Sequence, residues 1–342
     1  MSITKVTNNV IETLDASKLT GALPAIDGSA LTGIADGITK SANDPAIDTN
    51  PAGGVGTVWA NTTSGEMFVL TDATVDENTW TNVGGGEGNI TPPMTGGIIT
   101  YHGNDRIHTF TTSGVFEIPS MSLMVGNTVE YLVLGGGGGG GAVAGGGGGA
   151  GRHLSGSGFA VTAQNYTITV GSGGAPNTNG QNSIFSSITA IGGGGGGTVA
   201  QNGNNGGSGG GGSFAGLVGG TGVHSGGNGA GASTSGCGGG GGGASSAGTN
   251  AVAGQSGNGG NGVANSISGT SVTRAGGGGG GGNASANGGT AGNGGAGQGG
   301  KYSGIQGGAG ADNSGSGAGG GGNSQNLEIG GSGVVIIRYQ YL

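Results

Sequence analysis

The side chains that could do chemistry are few and far apart. Four histidines, His102, His108, His153 and His224, show neither H-x-x-x-H nor H-E-x-x-H spacing, so they do not read as a metal or metalloprotease set. Cys237 is the single cysteine and stands among Gly and Ser. It can form no intrachain disulfide and has no neighbouring ligands for a metal, which needs several. Glycan hydrolysis requires two carboxylates flanking one bond. The long glycine-rich stretch offers only Asp312 and Glu328, and Asp105, Glu117 and Glu130 fall on expected strands where a solvated face is the ordinary role. G-x-G-x-x-G occurs many times, but never between a strand and a helix with a following acid, the context that binds a dinucleotide. No catalytic, metal or cofactor site is expected. Asn61-Thr62-Thr63 fits the glycosylation pattern, which matters only in a secreted chain.

Composition sets the frame in which these residues sit. Of 342 residues 99 are Gly, 7% are charged and 4% aromatic. Typical domains carry about 7% Gly and about 25% charge. So few large apolar side chains cannot build a conventional core in proportion to length. Seven prolines and little charge do not match the composition of disordered chains either. A net charge of −8 gives no counterion-release drive toward nucleic acid, so DNA and RNA are not expected partners. No run approaches the ~20 apolar residues of a membrane span, and the N-terminus lacks the basic start and apolar segment of a signal peptide. Synthesis in a cytoplasm without classical secretion is the expectation.

The chain divides by charge and glycine content. Fourteen of the sixteen acidic residues precede Gly135, whereas 82 of the 99 glycines lie at or after it. Residues 1–53 contain ASKLTGALPAIDGSALTG, with Leu19, Leu23 and Leu31 spaced by turn signals. Such short extended segments bury too little to stand alone. Residues 54–97 hold a small β-meander and a linker: Thr57–Ala60, Glu66–Thr71 and Thr79–Val83 are β-rich, with Trp59, Phe68 and Trp80 as a miniature core. Residues 98–342 form a third region. HTFTTSGVFEI predicts a hairpin turning at Ser113-Gly114 between Phe110 and Phe116. Thr128–Leu134, Tyr166–Val170, Ile184–Ile191 and Gly333–Tyr341 are the other strand signals.

The LTGxLPAIDGSALTG segment resembles stretches of bacteriophage tail fibres and other virion proteins, and so does the 54–83 block. A strand running into glycine and a terminal GGSGVVIIRY are similar to the glycine-rich domain of phage tail fibres over residues 98–342. This resemblance extends to the receptor-binding adhesins at the tips of T-even-like phage long tail fibres. It implies packed polyglycine II helices with variable loops at one end, although this chain differs in carrying its own shaft-like N-terminal region.

The glycine tracts support that fold on physical grounds. Gly135–Gly141, Gly145–Gly149, Gly192–Gly197, Gly209–Gly212, Gly238–Gly243, Gly276–Gly282 and Gly319–Gly322 are similar in length and separated by non-repeating inserts, unlike a flexible linker. An extended three-residue-per-turn chain makes no internal hydrogen bonds, so every N–H and C=O must pair with a neighbour. The expected fold is therefore mostly β plus polyglycine II with little or no α-helix. Strands at 98–134 and 333–341 would flank an array at about 135–325.

Function is expected to be structural and adhesive rather than enzymatic. The resemblance implies a virion protein, a homotrimer held by residues 1–90, contact with other tail proteins through the N-terminal region, and attachment to a host surface protein or glycan. Larger residues in the inserts are the contact candidates: Phe214, Leu217 and His224; Arg274; Lys301, Tyr302 and Ile305, with Asn202–Asn205 as hydrogen-bonding surface. Two other readings stay open: a stand-alone polyglycine II protein resembling springtail ice-binding proteins, and a tail-spike depolymerase.

Overall fold

A computed structural model describes residues 38–84, 93–224, 226–227, 236–283, 285–302, 304–322 and 328–341. The leucine-containing repeat of the first 37 residues lies outside them. The chain forms two compact units, Met1–Ile90 and Thr91–Leu342. The described residues contain strands, turns and extended segments and no α-helix, as the composition predicts.

In the first unit, β1 (Ile38–Ser41), β2 (Val58–Asn61), β3 (Met67–Asp72) and β4 (Thr79–Gly84) make one sheet in sequence order. β1 pairs parallel with β2, and the rest is an antiparallel meander. The turn after β2 places Gly65 at φ 75°, where its lack of a Cβ is needed. Leu70, fully buried, is the centre of this small core. Trp59 and Trp80 pack edge to face beside it at 5.8 Å and, like Phe68, remain half-buried. A four-stranded sheet of this size can cover one leucine but not three aromatic rings.

The second unit begins with a sheet in the order β5-β6-β15-β8-β9: β5 (Ile98–His102), β6 (Asp105–Phe110), β8 (Thr128–Leu134), β9 (His153–Ala160) and β15 (Val334–Gln340). A second sheet runs β12-β11-β10-β7, from β7 (Gly114–Glu117), β10 (Asn165–Thr169), β11 (Ser183–Phe185) and β12 (Ile188–Ala190). The expected hairpin at Ser113-Gly114 is therefore not formed. β6 pairs with β5 and β15 while β7 pairs with β10, and the chain crosses between sheets there. Phe110 and Phe116 are still buried in the same cluster, the core between the sheets.

The central strands explain their own sequence. In β15, Val335, Ile337 and Tyr339 face the core between the sheets with Val129, Val133, Ile168 and Phe185. Val334 and Ile336 face the opposite way, with Leu132, Leu134, Ile107 and Ala150. Burial on both faces is why β15 is a continuous apolar run rather than an alternating one. A short hairpin of β13 (Val263–Asn265) and β14 (Val272–Arg274) brings Ile267 onto that outer face.

The glycine-rich segments continue from this outer face, and their hydrogen bonds repeat every three residues. Gly145, Gly148 and Gly151 donate to the carbonyls of Gly321, Ala318 and Gly315 at 3.2, 2.8 and 2.8 Å. Gly146, Gly149 and Arg152 donate to Gly197, Gly194 and Ile191 at 2.9, 2.7 and 2.8 Å, while Gly147 and Ala150 donate to Gly239 and Gly242 at 3.0 and 2.9 Å. One run thus bonds three different neighbours, each partner stepping by three. A β-strand, with its period of two, bonds only two neighbours. Close approach makes this possible: a Cβ on Gly138 would lie well under 3.0 Å from Gly194 O, and one on Gly141 likewise from Gly197 O.

His108 is fully buried between the sheets, 2.7 Å from Gly96 O through Nδ1 and 3.1 Å from Tyr339 Oη through Nε2. With Nδ1–H donating to the carbonyl, Nε2 accepts from the tyrosine, which fits a neutral ring. Burial lowers its pKa to about 4. The unfolded imidazole takes up its proton near the ordinary 6.5 and the folded one does not. Stability is therefore complete above about pH 6.5 and falls as pH drops toward 4, by about 3 kcal/mol. Denaturant titrations at pH 7.5, 6 and 4.5 should show this loss, and H108Q should flatten most of it. His153, whose pKa burial also lowers, contributes in the same direction.

The packing of the runs gives a second expectation. Gly138→Ala should destabilise by about 1–3 kcal/mol or more, since only backbone surrounds the new methyl. Gly254→Asn should be near neutral: the turn there has φ 78° with nothing within 4 Å, and Asn tolerates that conformation. Equal Tm losses in the two variants would contradict this account of the array.

Candidate interaction surface at the end of the glycine array

The runs pass back and forth between two ends. The proximal end adjoins the five-stranded sheet, where Gly135 follows β8, Arg152 precedes β9 and Gly333 precedes β15. At the distal end, Ala144 N donates to Gly322 O at 2.7 Å and Phe214 N to Ala144 O at 3.2 Å. Gly282 N donates to Gly300 O at 2.9 Å and Asn283 N to Gly236 O at 2.7 Å. The turns beginning at Ala142, Phe214, Asn283 and Lys301 therefore share this end. Val143 sits at its tip with φ 51°, a conformation costly for a β-branched residue.

The distal end collects five of the seven candidates. Phe214 and Leu217 lie in one turn, both half-buried. Lys301 and Ile305 close another, with Lys301 N donating to Ile305 O at 2.8 Å, and Tyr302 and Ile305 stand about half exposed at its tip. Val199 and Val252 are exposed in two further distal turns, and the sequence reading did not single them out. His224 and Arg274 are at the other end. Gly209 N donates to His224 O at 2.9 Å, and Arg274 ends β14 against the sheet.

Asn202 and Asn205 are exposed and at the same time bonded within the array. Their Oδ1 atoms accept from Val218 N at 3.0 Å and Thr221 N at 2.7 Å. The same device recurs: Asn182 and Asn179 accept from Gly192 N and Gly195 N, both at 3.0 Å. Asn258 and Asn261 accept from Thr290 N and Asn293 N at 2.9 and 3.2 Å. Each pair is spaced by three, so an N-x-x-N signal in the sequence marks a run that bonds a neighbouring run through its side chains.

The chemistry elsewhere is sparse. Among the described residues no three His, Cys, Asp or Glu side chains come together as a metal set. Cys237 is buried against Ala251 and Ala286, and burial pushes its thiol pKa up. Arg338 pairs with Asp105 and lies 3.9 Å from Glu130 Oε2, between open depressions of about 260 and 290 Å³ edged with Ser155, Ser157 and Asn265. That meeting of two acids was not foreseen, because they lie on strands separated in sequence and joined only through β15.

A model of the glycine-rich domain family matches residues 109–340, and the chain belongs to that family. No curated protein matches it.

The asparagine pairs yield a local test. Asn258→Ala should remove the acceptor of Thr290 N and cost about 1 kcal/mol. Amide exchange at Thr290 should accelerate while that at Gly278, which donates to Gly148 O, stays slow.

Proposed function

We propose that the glycine-rich runs are polyglycine II helices and that the chain is a structural, adhesive part of a phage tail fibre. In this reading its distal turns contact a host surface protein or glycan. The carrying observation is the collection of Phe214, Leu217, Lys301, Tyr302 and Ile305 at one end of a rigid array. The hydrogen-bond period of three matches an extended helix with three residues per turn, which supports the polyglycine II assignment. Loops on a rigid scaffold can vary without unfolding it, and aromatic side chains serve as anchors. Weak contacts would gain strength through several copies per particle. The N-terminal region would join other tail proteins as a homotrimer on the virion, without inserting in a membrane or binding nucleic acid.

A non-enzymatic role is part of the proposal. Asp105 and Glu130 flank Arg338, whereas a glycosidase needs an acid and a carboxylate facing each other across a sugar. The evenly spaced Asn rows give the ice-binding alternative its best support, yet their oxygens are bonded to neighbouring amides. A thermal-hysteresis measurement separates that reading.

The test is adsorption of phage carrying Tyr302→Ser with Ile305→Ser, both exposed and thus compatible with folding. Adsorption should fall at least about tenfold, the loss of roughly one anchor. Unchanged adsorption with native thermal stability would remove the receptor contact from this turn.

A further inference from the structure

The outer face of the five-stranded sheet changes character along its length. Leu132 on β8, Ile336 on β15 and Ile107 on β6 are buried there with Ala150, Ala275 and Ile267. Two residues further along the same three strands, the face carries Glu130, Arg338 and Asp105 instead, and these side chains remain 51%, 24% and 24% exposed. Thr91–Leu342 has ten charged side chains, five acidic and five basic, and three of the ten meet at this place. β9 adds to it through its alternation. Leu154 packs against the core between the sheets, so Ser155 and Ser157 point outward, beside Glu130.

Two open depressions, of about 260 and 290 Å³, adjoin here and share Glu130, Ser157 and Arg338 in their walls. Ser155, Asn265 and Ser266 complete the first, and Asp105, Thr128 and Gln340 the second. Arg338 donates through Nε and Nη2 to Asp105 Oδ2, which fixes the plane of the guanidinium. Its Nη1, Asp105 Oδ1 and the Glu130 carboxylate have no hydrogen-bond partner among the described residues, and neither do the hydroxyls of Ser155, Ser157 and Ser266.

Donors and acceptors therefore alternate over a short distance in a groove open to solvent. That suits the adjacent hydroxyls of a sugar, each of which can donate to a carboxylate and accept from a guanidinium or a serine. Charge disfavours simpler ligands: two carboxylates oppose an anion, and the guanidinium between them opposes a cation. The walls are mostly polar, unlike the hydrophobic lining that suits an apolar ligand. Each depression has room for one sugar ring.

We infer that this groove binds a neutral saccharide, one ring in each depression, with Glu130 and Arg338 bonded to its hydroxyls where the two depressions join. The site lies on the sheet, away from the distal turns, and does not depend on the adhesion proposed for them.

The full chain should be titrated with glucose, galactose and N-acetylglucosamine, and with maltose, lactose and chitobiose. NMR would follow the Arg338 Nε–H signal and the amides of Ser155 and Ser157. At least one disaccharide should move these signals saturably, with a Kd about tenfold below that of its monosaccharide. Glu130→Gln should raise that Kd about tenfold or more, as loss of a charge-assisted hydrogen bond does. Ser157→Phe should abolish the response by filling the groove where the depressions join. Both positions are exposed, and either variant decides alone should the other not fold. Tyr302→Ser, at the distal end, should leave the Kd unchanged. Glucuronate and a lysine tripeptide test the charge argument, and tighter binding of either than of the neutral sugars would overturn the inference. So would no saturable change with any sugar, a disaccharide that binds no tighter than its monosaccharide, or a Kd that the groove variants leave unaltered.

Discussion

A segment without side chains has only its backbone to bond with, and the whole second unit follows from that constraint. Glycine loses more freedom on folding than any other residue. Each net hydrogen bond returns only about 0.5–1.5 kcal/mol, so a run must bond on several sides at once. Period three provides this, as Gly145–Arg152 shows by reaching three neighbours in eight residues. The same packing leaves no room for a Cβ at most positions of the inner runs, Gly138 and Gly141 among them, so sequence and spacing constrain each other. Buried serines fit because their hydroxyls bond to carbonyls of adjacent runs, as Ser256 Oγ does with Gly281 O at 2.8 Å.

An array built this way has to stop somewhere, and its outermost amides would face water or other chains. The asparagine pairs are the device that closes it. An Oδ1 every third residue takes the place that a further run's carbonyl would hold, much as polar side chains blunt the edge of a sheet. Toward the five-stranded sheet no such device is needed, because the runs pass directly into β8, β9 and β15.

Much of the fold was legible from residue type. β8, β10 and β15 stood out as β-branched runs, and the glycine tracts pointed to mutual pairing. β9 did not stand out, since HLSGSGFA is polar, contains two glycines and forms the edge of its sheet. The Ser113-Gly114 turn signal was real but marked a crossing between layers, which local sequence cannot distinguish from a hairpin. The inserts with large residues were visible too. Which end each occupies depends on the number of passes before it, and this is why Arg274 and His224 part from Tyr302.

The runs leave from β8 and finally return to β15, and these two strands are paired antiparallel, Val334 beside Leu134. A pull on the distal turn at Ala142–Ala144 travels along the two neighbouring runs that it joins, toward β8 and β9, which are likewise paired antiparallel, Leu134 beside His153. The transverse bonds that join those runs to the rest are loaded in shear, many together, rather than peeled apart one by one. Such a lattice yields abruptly at high tension and stretches little before it does, the mechanical behaviour of a stiff rod rather than a spring.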